Sequence, residues 1–314
     1  MEAESFPIRP PGADSEGNRK TGIPIETAGE FQEAPGVRRS GGGKERDLEL
    51  TQERPAGNEI AVRVRGLRKV YRIGEEKVVA LKKIDVDICR GEICCILGTS
   101  GSGKSTLLNQ LAGLEKPTRG SVTIFDKNIS KMSEAQLAVF RQKHIGFVFQ
   151  SYDLIPSMTA LENVSMPLEF RGIAPAKRKQ LAIRMLERVG LKDRMKHKPS
   201  EMSGGQQQRV GIARAFVTKP QIVFADEPTG NLDSKTTAEV MGIMVDTCRE
   251  NDSTMVLVTH DKNIAAYADR ILTIIDGEIV KEEINPEPRG SAKNTAEPAP
   301  EAAPASEKEN TDEN

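Results

Sequence analysis

This chain of 314 residues has almost no net charge: 45 Lys and Arg stand against 46 Asp and Glu, a formal balance of −1. A general electrostatic grip on nucleic acid needs a basic excess, so no nucleic-acid partner is expected. No apolar run approaches the roughly 20 residues that a helix needs to cross a bilayer, so direct membrane insertion and a pore are excluded. The first residues lack a basic-then-apolar pattern, and no secretory leader is expected. Cysteine is scarce. Cys89, Cys94, Cys95 and Cys248 lack the spacing of a zinc site, and the adjacent pair in an apolar run suits a buried strand in a reducing cytosol. Internal repeats are also missing. The length suffices for one large α/β domain, or two small ones, with a sizeable core.

Composition divides the chain into three parts. About residues 1–58 are rich in Gly, Pro, Glu and Arg, and residues 283–314 are rich in Pro, Ala and Glu with an acidic balance. Neither has the periodic apolar residues that support a core, and both read as disordered arms. Between them, at residues 59–282, β-branched runs alternate with helical patterns. Strands are expected near 60–64, 78–88, 92–97, 121–125, 146–149, 221–225, 255–258 and 270–275, and helices near 104–114, 176–189, 206–217 and 235–250. Interleaved strands and helices argue for a mostly parallel sheet covered on both faces. The first strands precede any long helix, which suggests a small antiparallel sheet. Residues 152–203 carry no strong strand and read as a helical insertion.

The apolar strand at 92–97 runs into Gly98-Thr99-Ser100-Gly101-Ser102-Gly103-Lys104-Ser105-Thr106 and then a helical pattern. This is a P-loop in its confirming context. Phosphate oxygens need many closely spaced donors; glycines let successive backbone N–H groups turn inward while the helix N-terminus directs its positive end at the same anion. Lys104 suits the β- and γ-phosphates, Ser105 the hydroxyl ligand of Mg²⁺, and Thr106 a more internal phosphate. The competing reading is a plain Gly/Ser turn, which explains neither the strand before it nor the helix after it.

A second apolar strand ends in Asp226-Glu227. There a carboxylate, Asp226, can hold the metal directly or through water, and Glu227 can orient or deprotonate the water that attacks the γ-phosphate. Alone, such a pair is equally a turn or helix-cap charge. His260 closes a further apolar strand, at the carboxyl edge where ligands collect, and suits contact with the γ-phosphate and attacking water. His144 and His197 have no comparable surroundings. Gln150 closes the strand at 146–149 and can coordinate Mg²⁺ or a water.

With these motifs in this order, Ser203-Gly204-Gly205-Gln206-Gln207-Gln208-Arg209 before a helix resembles the signature sequence of ABC-family ATPases. Met202 stands where that family usually has Leu, a tolerable apolar exchange. The resemblance covers about residues 59–282. It implies an ATP-hydrolysing P-loop NTPase (RecA-like) core with an N-terminal antiparallel β subdomain and a helical subdomain. It also implies that Ser203, Gly204, Gly205 and Gln206 bind the γ-phosphate of ATP held by an opposing subunit. Tyr71 looks like the aromatic that stacks on adenine, Gln150 like the Q-loop, Asp233 like the D-loop and His260 like the switch histidine.

Within the family, Ser151-Tyr152-Asp153-Leu154-Ile155-Pro156, Thr159 to Val164 and Pro228-Thr229-Gly230-Asn231-Leu232-Asp233-Ser234 look most like the MacB and LolD type. That subgroup implies an integral membrane permease as a separate partner, a homodimer closing on ATP, a position at the cytoplasmic face of the membrane, and export or mechanotransmission. Leu154, Ile155 and Met158 are the candidate permease contacts, or simply packing of the insertion. A soluble ABC-type ATPase of a ribosome, DNA or cell-division assembly is the alternative. Tandem domains, coiled-coil insertions or zinc-binding cysteines would mark it, and none is seen.

Overall fold

The computed structural model describes residues 59–290. The expected arm at 1–58, and the tail from 291 onward, lie outside the described residues. Strands β1 (Ile60–Ile73), β2 (Glu76–Cys89), β4 (Arg119–Ile124) and β5 (Lys127–Asn128) form an antiparallel sheet in the order β2-β1-β4-β5. A second sheet has the order β10-β9-β3-β8-β7-β6, from β3 (Ile93–Leu97), β6 (Ile145–Val148), β7 (Ile222–Asp226), β8 (Thr254–Thr259), β9 (Arg270–Ile275) and β10 (Glu278–Ile284). All its pairings are parallel except the one between β9 and β10.

Successive side chains of a strand point to opposite faces, and β3 is buried on both. Cys94 and Ile96 join a core cluster with Leu107 and Leu111 of α1 (Lys104–Leu111), Phe140 of α2 (Glu134–His144), and Val62 and Ile84 of the antiparallel sheet. Ile93 and Cys95 join another, with Phe216 of α5 (Gly204–Phe216), Met244 of α6 (Ser234–Glu250) and Ile264 of α7 (Lys262–Ala265). The parallel sheet is thus the middle layer. Burial pushes the Cys95 thiol up to about 12, in keeping with an inert packing residue.

Between β6 and α5 lie α3 (Ala160–Phe170) and α4 (Pro175–Arg188), whose Val164, Leu168 and Leu186 pack with Val210 and Ala213 of α5. Arg171, at the end of α3, joins this helical lobe to the sheet layer. Its guanidinium donates to the carbonyls of Gln142 at 2.8 Å, Lys143 at 2.9 Å and Thr218 at 2.8 Å.

Several elements go beyond the sequence reading. Helices α2 and α3 are each announced by a capping box, Ser133 with Gln136 and Thr159 with Glu162, which hold their first turns in place of strong periodicity. The ordered chain also runs past the boundary expected at 282: β10 reaches Ile284, and Asn285 Nδ2 donates to the carbonyls of Ala266 at 3.1 Å and Ala268 at 3.0 Å. The acidic composition of this strand hid it, because as an edge strand it buries little.

The register decides what the fold can do. Leu97 lies beside Thr259, Asp226 beside Val258 and Val148 beside Ala225, so the loops leaving β3, β8, β7 and β6 emerge together at one carboxyl edge. Phe224, fully buried in β7 between β8 and β6, supports this edge. Phe224→Ala is expected to lower the unfolding free energy by about 3–5 kcal/mol, read as a shifted urea midpoint with unchanged slope.

Candidate functional site

The loop between β3 and α1 is held so closely that side chains are excluded at two glycines. A Cβ on Gly98 would meet the carbonyl oxygen of Ile274 at 2.5 Å, and one on Gly103, whose φ is +102°, would meet that of Ala80 at 2.7 Å. Glycine is the residue that leaves the backbone amides free to line the loop under those constraints. Lys104 follows and is almost fully buried. Its ammonium donates to the Thr99 carbonyl at 2.8 Å, so the charge is held over the loop itself.

A cleft of about 540 Å³ opens at this edge, and Ser100, Gly101, Gly103, Lys104, Ser105, Thr106, Gln150 and Glu227 all line it. Asp226 meets the site through Ser105, whose hydroxyl donates to Asp226 Oδ1 at 3.2 Å. Burial raises the Asp226 carboxyl above its usual range, with the Ser105 hydrogen bond opposing that shift. Glu227 has a φ of +41°, a left-handed conformation that non-glycine residues rarely adopt and that clusters at functional sites. Its backbone N–H donates to the Val258 carbonyl at 2.9 Å, and His260 Nδ1 lies 2.9 Å from its Oε2. The edge therefore brings together the P-loop, Gln150, the adjacent pair Asp226 and Glu227, and His260, from four segments that are widely separated in sequence.

Other expected residues lie outside the lining of this cleft. Tyr71 does not line the cleft: its hydroxyl donates to Glu115 Oε2 at 2.7 Å, the Lys69 ammonium lies 5.0 Å from its ring centroid, and Val78, its cross-strand neighbour, lines the wall instead. Ser203, Gly204, Gly205 and Gln206 are also absent from the cleft wall. They form the start of α5, where Ser203 Oγ accepts from Gln206 N at 3.3 Å and Gln206 Oε1 accepts from Ser203 N at 3.1 Å. Asp233 caps α6, accepting from the backbone of Lys235 at 3.1 Å and Thr236 at 3.0 Å. These hydrogen bonds, led by that from Thr236, lower its carboxyl below the usual range. Leu154, Ile155 and Met158 are half-buried rather than exposed, and Leu154 packs against the helical core.

Sequence reasoning missed the far wall of the cleft, built from residues 78–80, Lys82, Asp276 and Gly277. Gly277 N donates to the Ser102 carbonyl at 2.9 Å and its own carbonyl accepts from Lys82 N at 3.0 Å, so this turn braces the loop against β2. The signal was present: Asp-Gly between two β-rich runs marks a hairpin, and both residues have positive φ, 47° and 76°. Gly277→Ala would place its Cβ 2.5 Å from the Ala80 carbonyl oxygen. The expected cost is about 1–3 kcal/mol of stability together with weakened nucleotide binding, measured by denaturation and by titration with a fluorescent ATP analogue.

Residues 81–230 match the family model described as ABC transporter. The lipoprotein-releasing system ATP-binding protein LolD of Legionella pneumophila (strain Paris) is 45% identical over 226 residues, covering 72% of this chain and 100% of that one. The macrolide export ATP-binding/permease protein MacB of Hahella chejuensis is 40% identical over 253 residues, covering 81% of this chain and 38% of that one. Among solved structures, the dimeric post-hydrolysis state of the ATP-binding cassette MJ0796 bound to ADP and Pi is similar, with a TM-score of 0.68 and 42% identity over 71% of this chain and 98% of that one.

Proposed function

The chain belongs to the ABC transporter family, and on that premise we propose a role for each residue at the cleft and its rim. The chain is an ATP-binding and ATP-hydrolysing subunit that energises a separate membrane permease. The observation that carries the assignment of roles is the division of the site. The P-loop, Gln150 and Glu227 line one cleft, which Asp226 and His260 join through Ser105 and Glu227, while Ser203 to Gln206 stand outside it on the same chain.

The amides of the loop and Lys104 hold the β- and γ-phosphates, and Thr106 contacts a more internal one. Tyr71, the cross-strand neighbour of Val78, is the aromatic proposed to stack on an adenine that extends beyond the apolar wall of Val78 and Val79. Ser105 and Asp226 are hard oxygen donors already facing each other at 3.2 Å, a set that suits Mg²⁺, with Gln150 on the cleft wall as a further oxygen ligand. Bound there, Mg²⁺ supplies neutralisation of the phosphate charge. Glu227 takes the proton of the attacking water, and His260, hydrogen-bonded to it, orients that carboxylate and contacts the γ-phosphate.

A single chain has the cradle for one nucleotide and the signature turn for another, so two copies facing head to tail complete two identical sites. Asp233 lies at the start of α6 in the D-loop position facing that junction. Closure on ATP and separation after hydrolysis move the helical lobe, and the permease is driven by that movement. Its contact surface is the apolar groove of about 370 Å³ that includes Phe147, Phe149, Met166 and Phe170. Phe170 is 67% exposed, which makes it a better contact than the half-buried Leu154, Ile155 and Met158. Among the described residues no helix is long and apolar enough to cross a membrane. The permease thus holds the subunit peripherally at the cytoplasmic face, for export or mechanotransmission.

Glu227→Gln is expected to leave ATP affinity intact, reduce turnover by about a hundredfold or more, and accumulate an ATP-bound dimer in gel filtration with light scattering. Normal turnover in that variant rejects the role of Glu227. Lys104→Ala is expected instead to weaken nucleotide binding by about tenfold or more, measured by calorimetric titration.

A further inference from the structure

Gln208 lies on α5, one turn after Gly204, and none of the roles above uses it. Its side chain is fully buried, yet it is polar and reaches two backbone segments of the nucleotide cleft at once. Nε2 donates to the carbonyl of Pro228 at 2.5 Å and points to that of Phe149 at 3.4 Å. Pro228 directly follows Glu227, and Phe149 directly precedes Gln150. These segments are also joined to each other: Asn231 Nδ2 donates to the Gln150 carbonyl at 3.1 Å, and Gly230 N to the Glu227 carbonyl at 3.1 Å.

The same helix grips the segment after Gln150 a second time. Arg214, 9% exposed, donates to the carbonyls of Asp153 at 2.5 Å and Tyr152 at 2.9 Å. Tyr152 and Asp153 both have positive φ, 64° and 45°, a costly pair of conformations that persists only where surrounding contacts impose it. The Tyr152 hydroxyl in turn closes over the signature turn, 2.8 Å from where a Cβ on Gly204 would stand. The start of α5, the backbone around Gln150 and the backbone after Glu227 therefore form one packed unit, with the Gln208 amide at its centre. Burying an amide is unfavourable unless its hydrogen bonds are made; here Oε1 has no partner, and both acceptors that hold Nε2 belong to catalytic segments.

We infer that Gln208 is a positioning residue that ties the signature turn, which serves one nucleotide, to Glu227 and Gln150, which act on the other. The inference rests on the division of the site proposed above. In a dimer, the signature turn of each chain engages the partner's nucleotide while Gln208 fixes the glutamate at that chain's own nucleotide. A displacement of α5 on closure is then transmitted through one side chain to the carboxylate that takes the proton, so the two sites of the pair are mechanically linked through each subunit.

Gln208→Met keeps the length and bulk of the side chain and removes the donor, and the full-length protein carrying it provides the test. ATP affinity, from titration with a fluorescent analogue, and the thermal midpoint are expected to stay near those of the unaltered protein. The turnover number is expected to fall by at least about tenfold, since a small misplacement of a catalytic group is costly. The ATP-bound dimer is expected to persist longer in light scattering, because closure is intact while Glu227 is out of register. A structural role alone moves the midpoint without prolonging the dimer. If Gln208→Met disrupts folding, Gln208→Leu is measured in the same way. Unchanged turnover, or turnover lost only together with ATP affinity, overturns the inference and leaves the site reading standing. Absence of ATP hydrolysis by the unaltered protein overturns both.

Discussion

The loop from Gly98 to Lys104 is confined at both ends, and the rest of the architecture follows from that confinement. Backbone carbonyls of Ile274 and Ala80 stand where side chains at Gly98 and Gly103 would be, and the Gly277 amide holds Ser102 from beyond. A flexible glycine loop would lose much of its binding energy in becoming ordered; this one is ordered by its neighbours before any anion arrives. The antiparallel sheet, which supplies Ala80 and Lys82, is therefore part of the nucleotide site as well as a cover for the core. The β9–β10 hairpin belongs to the site for the same reason.

Parallel register converts that rigid loop into a multi-residue centre. Because β3, β8, β7 and β6 run in one direction, their carboxyl ends deliver Gly98, His260, Glu227 and Gln150 to a single edge without any of them being near in sequence. The positive φ of Glu227 turns its side chain out of the strand direction at the point where the sheet ends, and the bond from its amide to Val258 holds that turn. Such a conformation is expensive for a residue with a Cβ and is sustained by the packing of the central strands on both faces.

Much of this was legible in the residues themselves. The P-loop, the strand ending in Asp226-Glu227 and the strand ending in His260 each combine an apolar run with an abrupt change to polar residues, which is how a buried strand reaching a site must read. The signature turn was legible for a different reason, as a glycine pair before a helix. What escaped were elements whose stability is borrowed. Helix α2 depends on its capping box and on Leu137 and Phe140, too few apolar positions to set a period. Strand β10 is polar because it closes an edge, and is held by backbone pairing and by Arg270, which donates to Glu282 at 2.7 Å and to the Asp87 carbonyl at 2.6 Å. Tyr71 shows the converse. Its place in the sequence marked it, but its hydrogen bond to Glu115, 44 residues along the chain, could not be foreseen.

The capping box at Ser203 and Gln206 gives the isolated subunit a self-contained helix start. In the unpaired chain the box pairs the amides of Ser203 and Gln206 with that chain's own side chains, while the amides of Gly204 and Gly205, the first two of the helix, have no partner among the described residues. In the proposed dimer, a phosphate arriving at this turn finds those two amides open, and the box beside them keeps the helix start intact when the phosphate leaves. The proposed contact is thus made at a helix start that holds its shape empty or filled, which suits a contact that has to be made and abandoned at every cycle.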